Sequence, residues 1–133
     1  MTTFPLSSPP NIKVLVVDDS LIVREHLVTI LNEITGTEIV GQAGTVAEAI
    51  GAIQKLRPNV VILDIRMPGG SGIDVLKWVK QAEVRPIVII LTNYPYPGYR
   101  QRCLRAGADF FLDKSTEFDQ IPHLFELFRQ QQS

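Results

Sequence analysis

The chain has 133 residues, which suits one domain with a single sizeable core and leaves no room for a second module of ordinary size. Its 13 basic and 14 acidic residues give a net charge of −1, so composition offers neither a basic footprint for nucleic acid nor an electrostatic anchor for a membrane. The single cysteine, Cys103, forms no internal disulfide and fits a reducing, cytoplasmic setting, where it reads as a buried structural thiol.

Met1 to Pro10 lacks the basic and apolar pattern of a signal peptide and is no membrane span, so residues 1–10 read as a flexible arm ahead of a domain at 11–130, with 131–133 as a tail. Val14 to Val17 is the first apolar run and ends at Asp18 and Asp19. A helix follows with Val23, Leu27, Ile30, Leu31 and Ile34 on one stripe, capped by Ser20 or Asp19 and ended by Gly36. A short strand from about Glu38 to Gln42 leads to a second helix, where Thr45 and Glu48 form a capping box. That helix carries Val46, Ala49, Ile50 and Ile53 inward and closes at Arg57 and Pro58.

The third run, Val60 to Leu63, stops at Asp64. A loop from Arg66 to Gly70 precedes a helix opened by Ser71 and Asp74, with Val75, Leu76 and Val79 facing in and Trp78 as amphipathic cover. Pro86 marks the next strand, whose run Ile87 to Leu91 ends at Thr92. Pro95, Pro97 and Gly98 delay the fourth helix until near Pro97. Phe110 to Leu112 is the last run and is closed by Lys114. The final helix presents Ile121, Leu124, Phe125 and Phe128.

Strict alternation of five strands and five helices predicts an α/β fold: a five-stranded parallel, doubly wound sheet of the flavodoxin-like (βα)5 type, in the order 2-1-3-4-5. In such a sheet ligands bind at the carboxyl ends of the strands, which brings Asp18, Asp19, Asp64, Thr92 and Lys114 to one edge. Two like charges about 4 Å apart repel by roughly 4 kcal/mol at an effective dielectric near 20, and one ammonium cannot offset three carboxylates. A hard divalent cation can. Mg2+ suits Asp19 and Asp64 as direct ligands, Asp18 through a water, and a backbone carbonyl after Asp64, that of Arg66. Asp64, alone at the end of the central strand, is the candidate nucleophile for an aspartyl phosphate, with Thr92 and Lys114 placed for the phosphoryl oxygens.

The paired acids after the first strand, Asp64 with Met67, Pro68 and Gly72, then Thr92, and Lys114 preceded by Phe111, resemble the receiver domain of bacterial two-component response regulators across Asn11 to Gln130. The resemblance implies phosphorylation of Asp64 by a sensor histidine kinase, a phosphotransfer protein or a small phosphodonor. It implies Mg2+ on Asp18, Asp19, Asp64 and the Arg66 carbonyl, and a switch in which Thr92 moves to the phosphoryl group and Phe111 turns inward behind it. It also implies a protein partner at the face from Tyr94–Tyr99 through the fourth and fifth helices, with a homodimer left open. Asn93 and Ser115 depart from the family pattern, the latter leaving the isomer of the Lys114–Ser115 peptide open.

Singly, each site residue has an ordinary explanation as a cap, a strand-end threonine or a solvated lysine; the joint placement at four strand ends outweighs them. His26 and His123 lie off their apolar stripes with no metal spacing, and Tyr94, Tyr96 and Tyr99 either pack their loop or face a partner. An aspartyl-phosphate phosphohydrolase is a weaker reading, because Arg66 stands where such enzymes place a second acid. A nucleotide binder lacks its glycine-rich loop. A larger regulator with a DNA-binding or enzymatic output domain beyond Gln130 is the alternative.

Overall fold

The structure is a computed structural model and describes residues 11–82, 84–93 and 96–131. The arm expected at 1–10, Tyr94, Pro95 and the last two residues lie outside the described residues.

Five parallel strands, β1 (Ile12–Val17), β2 (Thr37–Ala43), β3 (Val60–Leu63), β6 (Ile87–Thr92) and β7 (Phe110–Asp113), form one sheet in the order β2-β1-β3-β6-β7. This is the expected 2-1-3-4-5 arrangement. Between β3 and β6 the chain adds a two-residue pair, β4 (Arg66–Met67) and β5 (Gly70–Ser71), a small antiparallel hairpin where the sequence indicated only a loop. Helices α1 (Leu21–Asn32), α2 (Val46–Leu56), α3 (Gly72–Gln81), α4 (Pro97–Arg105) and α5 (Gln120–Gln131) fill the crossovers. Helix α4 begins at Pro97 as expected, and α5 runs one residue past the expected domain end at 130.

Strand side chains alternate between the two faces, which is why the central runs are apolar throughout. Val14, Val16, Val60, Ile62, Ile89, Leu91 and Leu112 meet α1 and α5 through Leu27, Leu31, Ile121, Phe125 and Phe128. Leu15, Val17, Val61, Leu63, Val88, Ile90 and Phe111 meet α2, α3 and α4 through Ala49, Ile53, Val75, Leu76, Val79 and Cys103. Cys103 is fully buried and burial pushes its thiol up, which fits a structural role. Trp78 is half-buried against the same core, and His26 stacks on Phe118 with ring centroids 4.6 Å apart.

The caps explain where the helices start. Ser20 caps α1 by accepting the Val23 N–H, and Ser71 and Asp74 form the expected reciprocal box on α3. On α2 the box is displaced: Thr45 accepts the Glu48 N–H, but the Glu48 carboxylate accepts from Gly44 N–H instead of the cap residue's own. Gly36 does not end α1, which stops at Asn32; its φ of 82° serves the turn into β2. Arg57 closes α2 in the left-handed region, at φ 48°.

Gly72 fixes the approach of α3 to the end of β3. Its N–H donates to the Ile65 carbonyl at 2.6 Å, and a Cβ on it would stand 2.2 Å from the Asp64 carbonyl oxygen. Backbone must move for any side chain to fit there. Gly72→Ala is therefore expected to lower stability by about 3 kcal/mol, read as a shifted urea midpoint with an unchanged slope.

Candidate functional site

The carboxyl ends of β1, β3, β6 and β7 bring together the residues the sequence singled out. Asp18 and Asp19 follow β1 at once, Asp64 follows β3, Thr92 ends β6 and Lys114 follows β7. Backbone bonds lock these ends in register: Asp64 N–H donates to the Val17 carbonyl at 3.0 Å, and Lys114 N–H to the Thr92 carbonyl at 2.8 Å. The Lys114–Ser115 peptide is trans.

Lys114 sits between two acids. Its Nζ lies 2.6 Å from Asp18 Oδ2 and 3.2 Å from Asp64 Oδ2, with all three side chains less than a tenth exposed. The remaining oxygens are also engaged: Asp18 Oδ1 accepts the Ser20 N–H at 2.9 Å, and Asp64 Oδ1 accepts the Ile65 N–H at 2.7 Å. Asp19 is exposed and makes no ion pair among the described residues. Carboxylate oxygens of Asp18, Asp19 and Asp64 all lie within 4.8 Å of one another.

The electrostatics follow from this crowding. Burial pushes the Asp64 carboxyl above its ordinary range, and the Asp18 charge adds to that, while Lys114 and the Ile65 N–H pull the other way. Burial alone works against the Lys114 charge. Its bond to Asp18 and the fields of Asp64 and Asp18 outweigh burial, so the ammonium is held above the usual lysine range. With one ammonium beside three carboxylates the cluster is short of positive charge, the condition under which a hard divalent cation binds. Asp19 offers a solvent-facing carboxylate with no ion pair among the described residues, Asp64 one whose Oδ2 holds Lys114 at the longer distance of 3.2 Å, and Arg66 lies on β4 just beyond.

Thr92 is fully buried and continues the alternation of Val88 and Ile90, so it shares a sheet face with Phe111 on the adjoining strand. Phe111 is 5% exposed, already turned inward. The Arg100 guanidinium lies 5.7 Å from its ring centroid, and Arg100 Nη1 donates to the Phe111 carbonyl at 3.4 Å. Neither Arg100 nor Arg24, which holds the Asp18 carbonyl at 2.6 Å and Gln42 Oε1 at 3.1 Å, stood out in the sequence. Each is one arginine on a mostly polar helix face, with no local signal for its partner. Asp113 also lay unremarked; its carboxylate accepts from Ser115 N–H and Oγ–H at 2.9 and 2.7 Å, which holds it below the usual range and stiffens the turn after Lys114.

Two stability effects follow in the absence of divalent ions. Lys114→Met leaves Asp18 and Asp64 buried without their shared counter-charge and is expected to cost about 3 kcal/mol at neutral pH, less on acidification as the carboxyls take up protons. Asp64→Asn acts oppositely. Because the folded state holds this carboxyl above its unfolded range, its ionisation opposes folding, so the amide is expected to raise the thermal midpoint at neutral pH and to lose that advantage as pH falls through the Asp64 titration.

Comparison with known proteins agrees with this fold. The family profile described as the response regulator receiver domain matches residues 14–126. The transcriptional regulatory protein BtsR of Salmonella typhi is 37% identical over 122 residues, which cover 92% of this chain and 50% of that protein. A protein-glutamate methylesterase/protein-glutamine glutaminase of Syntrophomonas wolfei is 38% identical over 109 residues, 80% of this chain and 31% of its own length. Among solved structures, the response regulator domain of Thermotoga maritima CheB superimposes with TM-score 0.79 at 34% identity, covering 90% of this chain and 95% of that one. The receiver domain of NarL from Mycobacterium tuberculosis gives TM-score 0.85 at 30% identity, covering 92% and 98%. The chain thus spans about half the length, or less, of these curated relatives.

Proposed function

The chain belongs to the response regulator receiver domain family, and from that premise we propose that Asp64 is its phosphoacceptor and that phosphorylation switches its binding to partners. The observation that supports this reading is the Lys114 bridge to Asp18 and Asp64 beside an exposed Asp19. Asp64 Oδ1 is held by the Ile65 N–H, and Oδ2, as Lys114 releases it, attacks the phosphorus of a phosphohistidine or acyl phosphate. The bond from phosphorus to the donor's nitrogen or oxygen breaks, its electron pair stays with the donor, and an acyl phosphate forms on Asp64.

Mg2+ would be held by Asp19, Asp64 and the Arg66 carbonyl, with Asp18 reached through water because Lys114 holds its Oδ2 more closely, at 2.6 Å against 3.2 Å for Asp64. When bound it supplies neutralisation of the charge on the phosphoryl oxygens. Lys114 exchanges its carboxylate partner for a phosphoryl oxygen, and the Thr92 hydroxyl donates to another. Phe111 packs behind Thr92 on the same face, so movement of one is felt by the other and, through Arg100, by α4.

Turnover of a free phosphate ester is disfavoured by Arg66, an exposed cation on β4 where a general acid is required. Residues 11–130 form the receiver unit in this proposal, with 1–10 as an arm and 131–133 as a tail. A histidine kinase or phosphotransfer protein is the donor, and a protein reads the α4 to α5 face. Among the described residues no helix is long and apolar enough to cross a membrane. A cytoplasmic setting is part of the same proposal, supported by the free, buried Cys103 thiol.

Incubation with acetyl phosphate followed by intact mass is expected to show gain of a single phosphoryl group in the presence of Mg2+ and none after chelation. Asp64→Asn should show none in either condition, and Thr92→Val should slow uptake by about tenfold or more. Equal uptake by Asp64→Asn would remove the nucleophile assignment.

A further inference from the structure

Away from the carboxylates the cations are unevenly spread. Helix α4 carries Arg100, Arg102 and Arg105 and no acid, and α3 presents Lys77 and Lys80. Arg100 turns to Phe111. Lys77, Lys80, Arg102 and Arg105 instead surround one cavity of about 360 Å3 between the two helices, lined otherwise by Ile73 and Ala106. Among the described residues no acid lines it and none of the four makes an ion pair.

A second cavity, of about 510 Å3, shares Lys80 and Ala106 and continues toward the start of β6 over Leu76 and Val79. Among the described residues its one acid, Asp109, accepts the Val88 N–H at 2.8 Å, and its other cation, Arg85, is bonded to the Ala82 and Val84 carbonyls. Helices in a parallel α/β fold run opposite to the strands, so the second cavity lies toward the sheet edge away from Asp64, while the first reaches back to Ile73 in the first turn of α3.

A cation in the last turn of a helix complements its carbonyl end by about 0.3–1 kcal/mol, which is the ordinary account of Lys80, Arg102 and Arg105. It does not cover Lys77, a turn earlier, nor two helices that point their cations around one hollow. Their mutual repulsion is relieved by an anion between them. The near-neutral total charge hid this segregation, and so does not support the expectation that nucleic acid is excluded.

We propose that the α3–α4 groove is a docking site for an acidic segment of a protein partner, with glutamates or aspartates flanking an apolar side chain. Charge complementarity selects an anionic occupant. The hollow with apolar members between the cations favours a side chain inserted between carboxylates over a duplex, whose phosphates reach protruding cations and leave such a hollow unfilled.

The test is a titration of the 15N-labelled full chain with an acetylated octapeptide of alternating glutamate and leucine, followed by amide shifts. Saturable shifts should concentrate on α3 and α4, and affinity should fall about tenfold between about 50 and about 300 mM NaCl. The variant K77Q/R102Q should bind about fivefold or more weakly, and K55Q, on α2, as the wild type does. K80Q/R105Q gives an independent reading should the first variant fold poorly. Shifts elsewhere, no saturation, or binding by both double variants as tight as that of the wild type overturns the proposal. So does a short DNA duplex that occupies the same groove more tightly than the peptide. Phosphorylation plays no part in the assay, so its outcome is independent of the Asp64 assignment.

Discussion

One lysine between two buried carboxylates is the interaction on which the site depends. At 2.6 and 3.2 Å, Lys114 makes the burial of Asp18 and Asp64 tolerable, because an unpaired carboxylate there would lose its hydration with nothing in return. It does not make the cluster neutral. Asp19 lies within the same 4.8 Å group and brings a third negative charge that no described cation offsets. The ground state is thereby poised: stable enough to fold, and deficient in positive charge by an amount that a divalent ion removes. The sheet supplies the precision. Four parallel strands end together, and the bonds from Asp64 to Val17 and from Lys114 to Thr92 hold the ends of neighbouring strands to one another.

In the proposed switch, phosphorylation at this site would reach the surface through few contacts. Thr92 and Phe111 share the face covered by α2 to α4, and Arg100 grips Phe111 by ring and carbonyl together. In that proposal a shift of Thr92 would be felt by the buried aromatic on the same face, and close-packed cores respond by changing arrangement more readily than by compressing. Helix α4 is well suited to respond. It starts at Pro97 without a side-chain cap, and Cys103 is its one buried residue, so its hold on the sheet is lighter than that of α3 with five.

The architecture was legible because buried parallel strands write themselves as unbroken apolar runs. Val60–Leu63 and Ile87–Thr92 are flanked by clear helical periods, and Asp18, Asp64 and Thr92 are each the first polar residue after an apolar run, with Asp19 and Lys114 one place further on. Features too short to carry a period, or dependent on partners distant in sequence, were not legible. The β4–β5 hairpin has two residues a side, below any periodicity, and the position of Glu48 on Gly44 depends on the angle at which the chain enters α2. Arg100 and Arg24 act across elements, 11 residues from Phe111 and 18 from Gln42. Charge segregation was lost in the sum: −1 overall conceals four cations around one hollow.

The most direct measurement is the thermal midpoint as a function of Mg2+ at constant ionic strength, for the wild type and for Asp19→Asn. If excess carboxylate charge at the ends of β1 and β3 is the governing constraint, the wild-type midpoint rises saturably with Mg2+, and the amide variant shows a rise that is much smaller or shifted to far higher concentration. An identical rise in both proteins, or none in the wild type, would contradict that account.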